Sequence, residues 1–211
     1  RRAKTLLLVL LLSLNFVVFM PSPEAVAASN DRLRVSFLDV GQGDASVVEL
    51  PDGKVIVIDA GPRSEEYDAG ERVVAPFLKR RGITRVDLLV ISHPHDDHFG
   101  GVPYILEHFA VDEVLESGQP VTTPIFGMYS RNLRDEHCIV DTARSGMCVK
   151  IFRDVRLYVV APTQTFIDPD TTHRYLNLNN TSAVMRMQFG DVSFFFSGDA
   201  EVDAEHEMVR Q

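Results

Sequence analysis

The sequence predicts an α/β fold, and two regions of different pattern support this. Residues 33–59 contain three apolar segments separated by short polar turns, and one of these turns, Pro51-Asp52-Gly53, is typical of a β-hairpin. From Arg72 to Glu116 an amphipathic helix, an apolar strand, a second helix and a further strand follow one another. Such alternation is typical of helices packed on a sheet, and the earlier strands supply the remainder of that sheet.

The first predicted strands end in carboxylates. Three strands are predicted, over residues 33–40, 45–50 and 54–59. Their apolar residues alternate or run together, as in a sheet with a buried face. Gly41-Gln42-Gly43-Asp44 is a glycine-punctuated turn, and Asp59 closes the third strand. We therefore expect the strand ends to bring Asp39, Asp44 and Asp59 into one neighbourhood.

The other elements follow from apolar periodicity and from helix-ending signals. Residues 71–81 predict a helix whose cations lie at its C-terminal end, where the helix dipole favours them, and Gly82 ends it. Helices are also predicted over 102–109 and 201–210, and strands over 86–91, 111–116, 148–152, 155–160, 183–189 and 192–196. Residues 117–135, which contain Pro120 and Pro124, are predicted to be rich in loops.

Residues 1–28 have the pattern of a secretory signal peptide. A basic start is followed by the apolar run of residues 6–20 and then by Ala25-Val26-Ala27, a small-residue cleavage pattern. Cleavage near Ala27 or Ala28 would release a domain over residues 33–211 outside the cytoplasm, in the periplasm or at the cell surface. The alternative is a retained anchor that keeps the protein at the membrane. The apolar run is, however, shorter than the roughly 20 residues that span a bilayer.

The chain is acidic, with a formal net charge of −9, and it has no long run of Lys or Arg. It therefore offers no basic stripe for nucleic acid, and stable nucleic-acid binding is not expected. A nuclease is not excluded, because bound divalent cations supply local positive charge where a phosphate must lie.

Cys138 and Cys148 are the only cysteines in the chain. An exported domain lies in a compartment that permits disulfides, so we expect a disulfide that closes the loop of residues 139–147. Two free thiols are the alternative. The spacing does not match a CxxC metal site.

The densest chemical signal is the segment of residues 92–101, which places three histidines and two aspartates between positions 93 and 98. It follows the apolar run of residues 86–91, so we expect it on the loop that leaves the carboxyl end of a buried strand. Imidazole and carboxylate suit zinc, iron or manganese, and both have their ligating form near neutral pH. The alternative is a polar loop that is rich in histidine by chance.

Three stretches resemble a known family. His93-Pro94-His95-Asp96-Asp97-His98 resembles the HxHxDH signature of the metallo-β-lactamase superfamily. Residues 37–45 resemble the opening of the extracellular domain of ComEC-type competence proteins, and residues 196–201 resemble the Gly-Asp segment that carries a bridging aspartate. The resemblance covers residue 33 to the end, and it implies an αββα sandwich that is incomplete at the C-terminus.

The resemblance also implies a role for each matching residue. The residues expected to hold two divalent metal ions, zinc or manganese, are His93, His95, Asp97, His98 and Asp199. His93 and His95 would hold the first ion, and Asp199 would bridge both. Asp97 and His98 would hold the second ion and are the expected catalytic residues. Supporting or substrate-facing roles are implied for Asp59, Asp44, Gln42 and Asn180.

Two departures from the superfamily pattern concern the metal ligands. Where many members have a third histidine, this chain has Asn179-Asn180-Thr181-Ser182, and ComEC-type relatives carry a similar Asn and Ser segment. The Asn180 amide oxygen could coordinate, which would favour manganese over zinc; alternatively Asn180 binds substrate or only shapes the loop. The final histidine of the family would fall beyond Gln211, so we expect that a strand, a helix and one ligand are missing.

These features predict a secreted metal-dependent hydrolase, foremost a ComEC-type phosphodiesterase or nuclease that uses a metal-activated water. Its expected partner is a phosphodiester-containing substrate, either DNA or a cell-envelope polymer. One alternative is hydrolysis of a carboxylic ester, thioester or lactam, although the Asn segment counts against a true β-lactamase. The other is a degenerate domain that binds the envelope without catalysis; the intact signature counts against it and the missing histidine for it.

Overall fold

The computed structural model describes residues 32–119, 121–136, 138–152, 155–167 and 177–210. The predicted signal peptide over residues 1–28 lies outside these ranges. Within them, no helix is both long enough and apolar enough to cross a membrane.

The first of two sheets carries the strands on either side of the histidine cluster. Within the described ranges its strands, adjacent in chain order, are β1 (Arg34–Phe37), β2 (Ser46–Glu49), β3 (Val55–Ile58), β4 (Arg85–Ile91), β5 (Ala110–Glu116) and β6 (Ile139–Thr142). β1 to β3 pair antiparallel, and the predicted Pro51-Asp52-Gly53 turn joins β2 to β3. β3 to β6 are parallel, so their carboxyl ends share one edge of the sheet.

Helices cover one face of this sheet. They are α1 (Ala75–Arg80), which continues a π-helical turn over Gly70–Val74, and α2 (Asp96–Phe99), α3 (Val102–His108) and α4 (Pro124–Glu136). Apolar side chains from the sheet and the helices form one buried cluster, which includes Val57, Leu89, Leu78, Ile105 and Phe99. The predicted helix and strand alternation between residues 72 and 116 is therefore confirmed as an α/β layer.

The second sheet packs on the other face of the first. Its strands are, in spatial order, β10 (Val192–Phe196), β9 (Val184–Phe189), β8 (Val155–Ala161) and β7 (Cys148–Phe152), and all neighbours are antiparallel. Side chains of both sheets share a second buried cluster, which includes Ile56, Leu88, Val90, Leu157 and Met185. β4 is thus buried on both faces, which explains its almost unbroken apolar sequence.

Short elements complete the outer layer beside the second sheet. They are α5 (Gln164–Ile167), a 3-10 turn (Leu178–Thr181) and α6 (Val202–Val209). α6 contacts both β8 and the 3-10 turn. The order of helices, sheet, sheet and helix confirms the predicted αββα sandwich.

Residues 117–135 are not mainly loop, as the sequence predicted, because α4 occupies much of this stretch. Pro124 is its first residue, and the Thr123 hydroxyl accepts a hydrogen bond from Phe126 N at 3.1 Å. A proline in the first helical turn costs no hydrogen bond, because that N–H has no partner within the helix. The Thr-Pro pair is therefore a helix start here, and not a loop signal.

The predicted disulfide between Cys138 and Cys148 is wrong, because the two sulfurs are not bonded to each other. Residues 139–142 form β6, which pairs in parallel with β5 of the first sheet. The Cys138 thiol lies beside the first sheet and donates to Val111 O at 3.1 Å. Cys148, by contrast, begins β7 of the second sheet.

Truncation of a side chain in the core between the two sheets should strongly lower the stability of the fold. Leu157 is fully buried there, with 0% of its surface exposed. Leu157→Ala should lower the free energy of unfolding by about 2–5 kcal/mol, because it removes apolar contacts and leaves a cavity. Urea unfolding of the purified protein measures this value. Ile139→Ala is the control, since Ile139 is 64% exposed and its loss should change stability by less than about 0.5 kcal/mol.

Candidate metal centre

The histidine cluster lies at the carboxyl end of β4, which leads directly into α2. His93 and His98 are buried, although both carry polar rings. Gly101, three residues after His98, packs against the backbone that follows β3, where an added Cβ would meet Ala60 O at 2.3 Å. Glycine is therefore required at this close backbone contact.

Asp59, which follows β3, is the anchor of the cluster. Its backbone φ is 56°, a left-handed conformation that is uncommon for a residue with a side chain. The buried carboxylate accepts hydrogen bonds from Ser92 N at 2.8 Å, Ser92 Oγ at 2.7 Å and His98 Nδ1 at 3.0 Å. The turn after β3 thus directs one carboxylate at the end of the adjacent parallel strand.

His98 lies between two carboxylates. Its Nδ1 donates to Asp59, so Nε2 faces Asp199 Oδ1 at 3.1 Å. Burial alone would lower the pKa of His98, but the hydrogen bond and charge of Asp59, together with the charges of Asp199 and Asp44, raise this pKa to about 9. A metal that binds Nε2 would displace the proton, and Asp59 would then orient the ligand ring.

His93 and His95 form a pair of facing imidazoles. Ser92 Oγ donates to Asp59 and lies 3.1 Å from His93 Nδ1, so the network assigns a donating N–H to Nδ1. His93 Nε2 then carries a lone pair and lies 3.0 Å from His95 Nδ1. Burial lowers the pKa of His93 to about 3, with further lowering by His98 and His95, so this ring is neutral at pH 7.

The turn after β10 places the Asp199 carboxylate beside the histidines. The ligand atoms of His93, His98 and Asp199 lie within 4.8 Å of one another. Two ligands of one tetrahedral zinc ion, each at about 2.0–2.1 Å, lie about 3.3 Å apart. The separations of 3.0 Å between His93 and His95 and of 3.1 Å between His98 and Asp199 are close to that value. The residues therefore fit a divalent transition metal.

Asp97 lies on the groove side of the cluster. Among the described residues it belongs to neither group of converging ligand atoms, the second of which is formed by Asp44, Asp59 and His98. Asp97 and Gln42 line an open groove with a volume of about 760 Å³. The Asp97 carbonyl accepts from Asp44 N at 3.2 Å, and the exposed Asp44 carboxylate lies 3.9 Å from His98 Nδ1. Asp44 thus connects the groove to the cluster.

Asn180 does not offer its side-chain oxygen to the cluster. The Oδ1 atom accepts from Glu201 N at 3.1 Å and from Ala204 N at 3.3 Å, which are backbone groups at the start of α6. These two donors use both lone pairs of the carbonyl oxygen. Of the three roles considered for Asn180, the structure supports the shaping of the loop, because this contact fixes α6 beside the Asp199 turn.

Ser92 is a site residue that the sequence did not reveal by itself. Its hydroxyl joins Asp59 to His93, so one carboxylate orients two histidines. The available signal was its position, directly after a buried strand and directly before His93. Recognising it also required the pairing of β3 with β4, in which Ile58 lies beside Val90.

Comparison with known families agrees with this geometry. The model of the Metallo-beta-lactamase superfamily matches residues 38–211. The chain belongs to the metallo-β-lactamase superfamily. Its clustered histidine and aspartate side chains are therefore candidate ligands of divalent metal in a fold that is shared with this superfamily.

Curated relatives narrow the position of the chain within the superfamily. ComE operon protein 3 of Bacillus subtilis is 28% identical over 83% of this chain and 23% of that protein. Recombination protein 2 of Haemophilus influenzae is 25% identical over 84% of this chain and 19% of that protein. Both agree with the ComEC-type resemblance. Endoribonuclease YSH1 of Gibberella zeae is 24% identical over 74% of this chain and 19% of that protein. The chain thus spans about a fifth of the length of these relatives.

Substitution of Asp59, which orients the ligand histidines, should weaken metal binding. Asp59→Asn retains the shape but exchanges one acceptor oxygen for a donor, so His98 and Ser92 can no longer both be oriented. We expect metal binding to weaken by about 10–100-fold, as measured by competition with a chromophoric chelator.

Asp52→Asn is the matched control for this substitution. It makes the same chemical change in the exposed β2–β3 turn, where Asp52 Oδ1 accepts from Lys54 N at 3.2 Å. Equal affinity of the Asp59→Asn variant and the unsubstituted protein would contradict the anchoring role of Asp59.

Proposed function

We propose that the chain is the hydrolytic domain of an exported, ComEC-type metalloenzyme that cleaves phosphodiester bonds. The convergence of His93, His98 and Asp199, oriented by Asp59 and Ser92, is the observation that carries this proposal. The relatives supply the substrate class, since one is named an endoribonuclease and another a ComE operon protein. The N-terminal sequence, with its basic start and apolar run, supports export.

Each site residue has a defined task in this proposal. His93, His95, His98 and Asp199 would hold the metal. A divalent metal there supplies an activated water and positive charge that polarises the scissile phosphoryl group. Asp59 holds the proton on His98 Nδ1, which keeps Nε2 directed at Asp199. Ser92 does the same for His93 and keeps its Nε2 unprotonated.

The groove beside the cluster is suited to a substrate that the metal holds, and not to one held by protein cations. Its polar lining includes Gln42, Asp96 and Asp97, and Asp44 lies between it and His98. With Asp39, three carboxylates line the groove itself, so a phosphodiester would be repelled unless a cation lies between it and them. This agrees with the net charge of −9 and with transient, metal-dependent substrate binding.

The proposed activity predicts turnover of phosphodiesters by the metal-loaded protein. The full-length protein, reconstituted with zinc or with manganese, should hydrolyse bis-p-nitrophenyl phosphate and labelled DNA. Asp199→Ala and His98→Ala should each reduce the rate by at least about 100-fold, because each removes a group at the reacting centre. Asp191→Ala is the control, since Asp191 is exposed in the β9–β10 turn.

The other outcomes separate the competing functions. Turnover of nitrocefin or of a thioester, with none of phosphodiesters, would replace this proposal by carboxylic ester, thioester or lactam hydrolysis. Bound metal without turnover of any of these substrates would indicate a domain that binds an envelope component without catalysis.

A further inference from the structure

A buried oxygen beside the cluster has no hydrogen-bond partner. Among the described residues, Asn179 Oδ1 and Ser182 Oγ are the buried side-chain polar atoms without one. An unsatisfied buried polar group is costly, because it has lost its hydrogen bonds to water without replacing them, so such atoms are rare in folded proteins. Asn179 belongs to the segment that stands where many superfamily members have a third histidine.

The orientation of the Asn179 amide is fixed by its surroundings. Its Nδ2 donates to Glu201 Oε1 at 2.9 Å, and its backbone N donates to Asn177 Oδ1 at 3.1 Å. Rotation of the amide by 180° would place Oδ1 against the Glu201 carboxylate and lose this hydrogen bond. The oxygen therefore points away from Glu201.

The Asn179 amide lies within hydrogen-bonding reach of the His93 ring, although this contact does not have the geometry of a regular hydrogen bond. His93 Nδ1 is already committed to Ser92, and His93 Nε2 faces His95 Nδ1 at 3.0 Å. Asn179 Oδ1 and His93 Nε2 are thus both acceptors, and neither supplies a hydrogen to the other. Acceptors that converge in this way are typical of a cation site.

We propose that Asn179 Oδ1 is the third protein ligand of the metal that His93 and His95 hold. Asn180 cannot take this place, because its oxygen already accepts two backbone N–H groups of α6. Glu201 is then a positioning residue, since it holds the Asn179 amide in the ligating orientation.

The ligand set defines the metal that this position prefers. Two imidazoles and an amide oxygen form a harder donor set than three imidazoles, and oxygen donors shift preference towards manganese relative to zinc. The inference rests on the metal centre of the proposed function, but not on the phosphodiester substrate.

Metal binding by the full-length protein tests this ligand without any measurement of activity. Calorimetric titration with Mn²⁺ and with Zn²⁺ should show that Asn179→Ala weakens Mn²⁺ binding by at least about 10-fold. Asn179→Asp should bind Mn²⁺ more tightly than Asn179→Ala, because its carboxylate oxygen can ligate the ion even though the hydrogen bond to Glu201 is lost. Asn179→His should shift the ratio of affinities towards Zn²⁺ by about 10-fold or more. The hyperfine pattern of bound Mn²⁺ should change in Asn179→His as nitrogen replaces oxygen.

A purely structural role of Asn179 gives a different pattern. If Asn179 only donates to Glu201, then Asn179→Asp is at least as harmful as Asn179→Ala, because two carboxylates would face each other. Equal loss in both variants, with equal loss of thermal stability in the metal-free protein, would overturn the proposal. So would unchanged Mn²⁺ binding in Asn179→Ala.

Asn132→Ala is the matched control. It removes another amide, whose Nδ2 donates to Pro103 O at 2.8 Å in the helix layer, and it should leave metal binding unchanged.

Metal binding that depends on Asn179 but accompanies no hydrolysis would refute the proposed function alone. Hydrolysis that is unaffected by Asn179→Ala would refute the ligand alone, and absence of metal binding in the unsubstituted protein would refute both.

Discussion

One buried carboxylate determines the geometry of the candidate metal centre. Asp59 stands in a left-handed turn at the end of β3 and accepts three hydrogen bonds from the adjacent strand end. These bonds hold His98 directly and His93 through Ser92. Because a buried carboxylate without partners is costly, the same contacts that stabilise Asp59 also fix the tautomers of two ligand histidines.

The charges around His98 show why a cation suits this position. Asp44, Asp59 and Asp199 all lie near one imidazole, and their mutual repulsion must be offset. In the metal-free protein the protonated His98 supplies this compensation. A divalent ion would replace that proton with a larger positive charge and so satisfy the same carboxylates.

A second set of contacts positions the other half of the centre. Asn177 and Asn179 both donate to the Glu201 carboxylate, at 2.6 and 2.9 Å, and Asn180 accepts from the start of α6. The segment before β9 and the turn after β10 are thereby joined. Since Asp199 precedes Glu201 by two residues, docking of α6 sets where the Asp199 carboxylate lies relative to the histidines. The three asparagines therefore join these segments, and Asn179 alone is also a candidate ligand.

Local patterns in the sequence were sufficient for much of the fold. The hairpin at Asp52-Gly53, the buried strand before His93 and the helix after β10 follow from periodicity and turn residues, which depend on near neighbours in the chain. The same local reasoning failed at Pro124, because a proline begins a helix as readily as it ends one. It failed again for Cys138 and Cys148, because disulfide formation depends on the distance between segments in space.

The sequence alone determined the family, the αββα layers and the ligand types, since the signature His93–His98 and the Gly-Asp turn are contiguous in the chain. Only the tertiary structure decided which of two adjacent asparagines has an uncommitted oxygen, and that Ser92 links Asp59 to His93. The physical reason is that neighbouring side chains on a tight turn point in different directions. Which of them meets the histidines depends on the docking of α6 and on the pairing of β3 with β4, and neither is a local property of the chain.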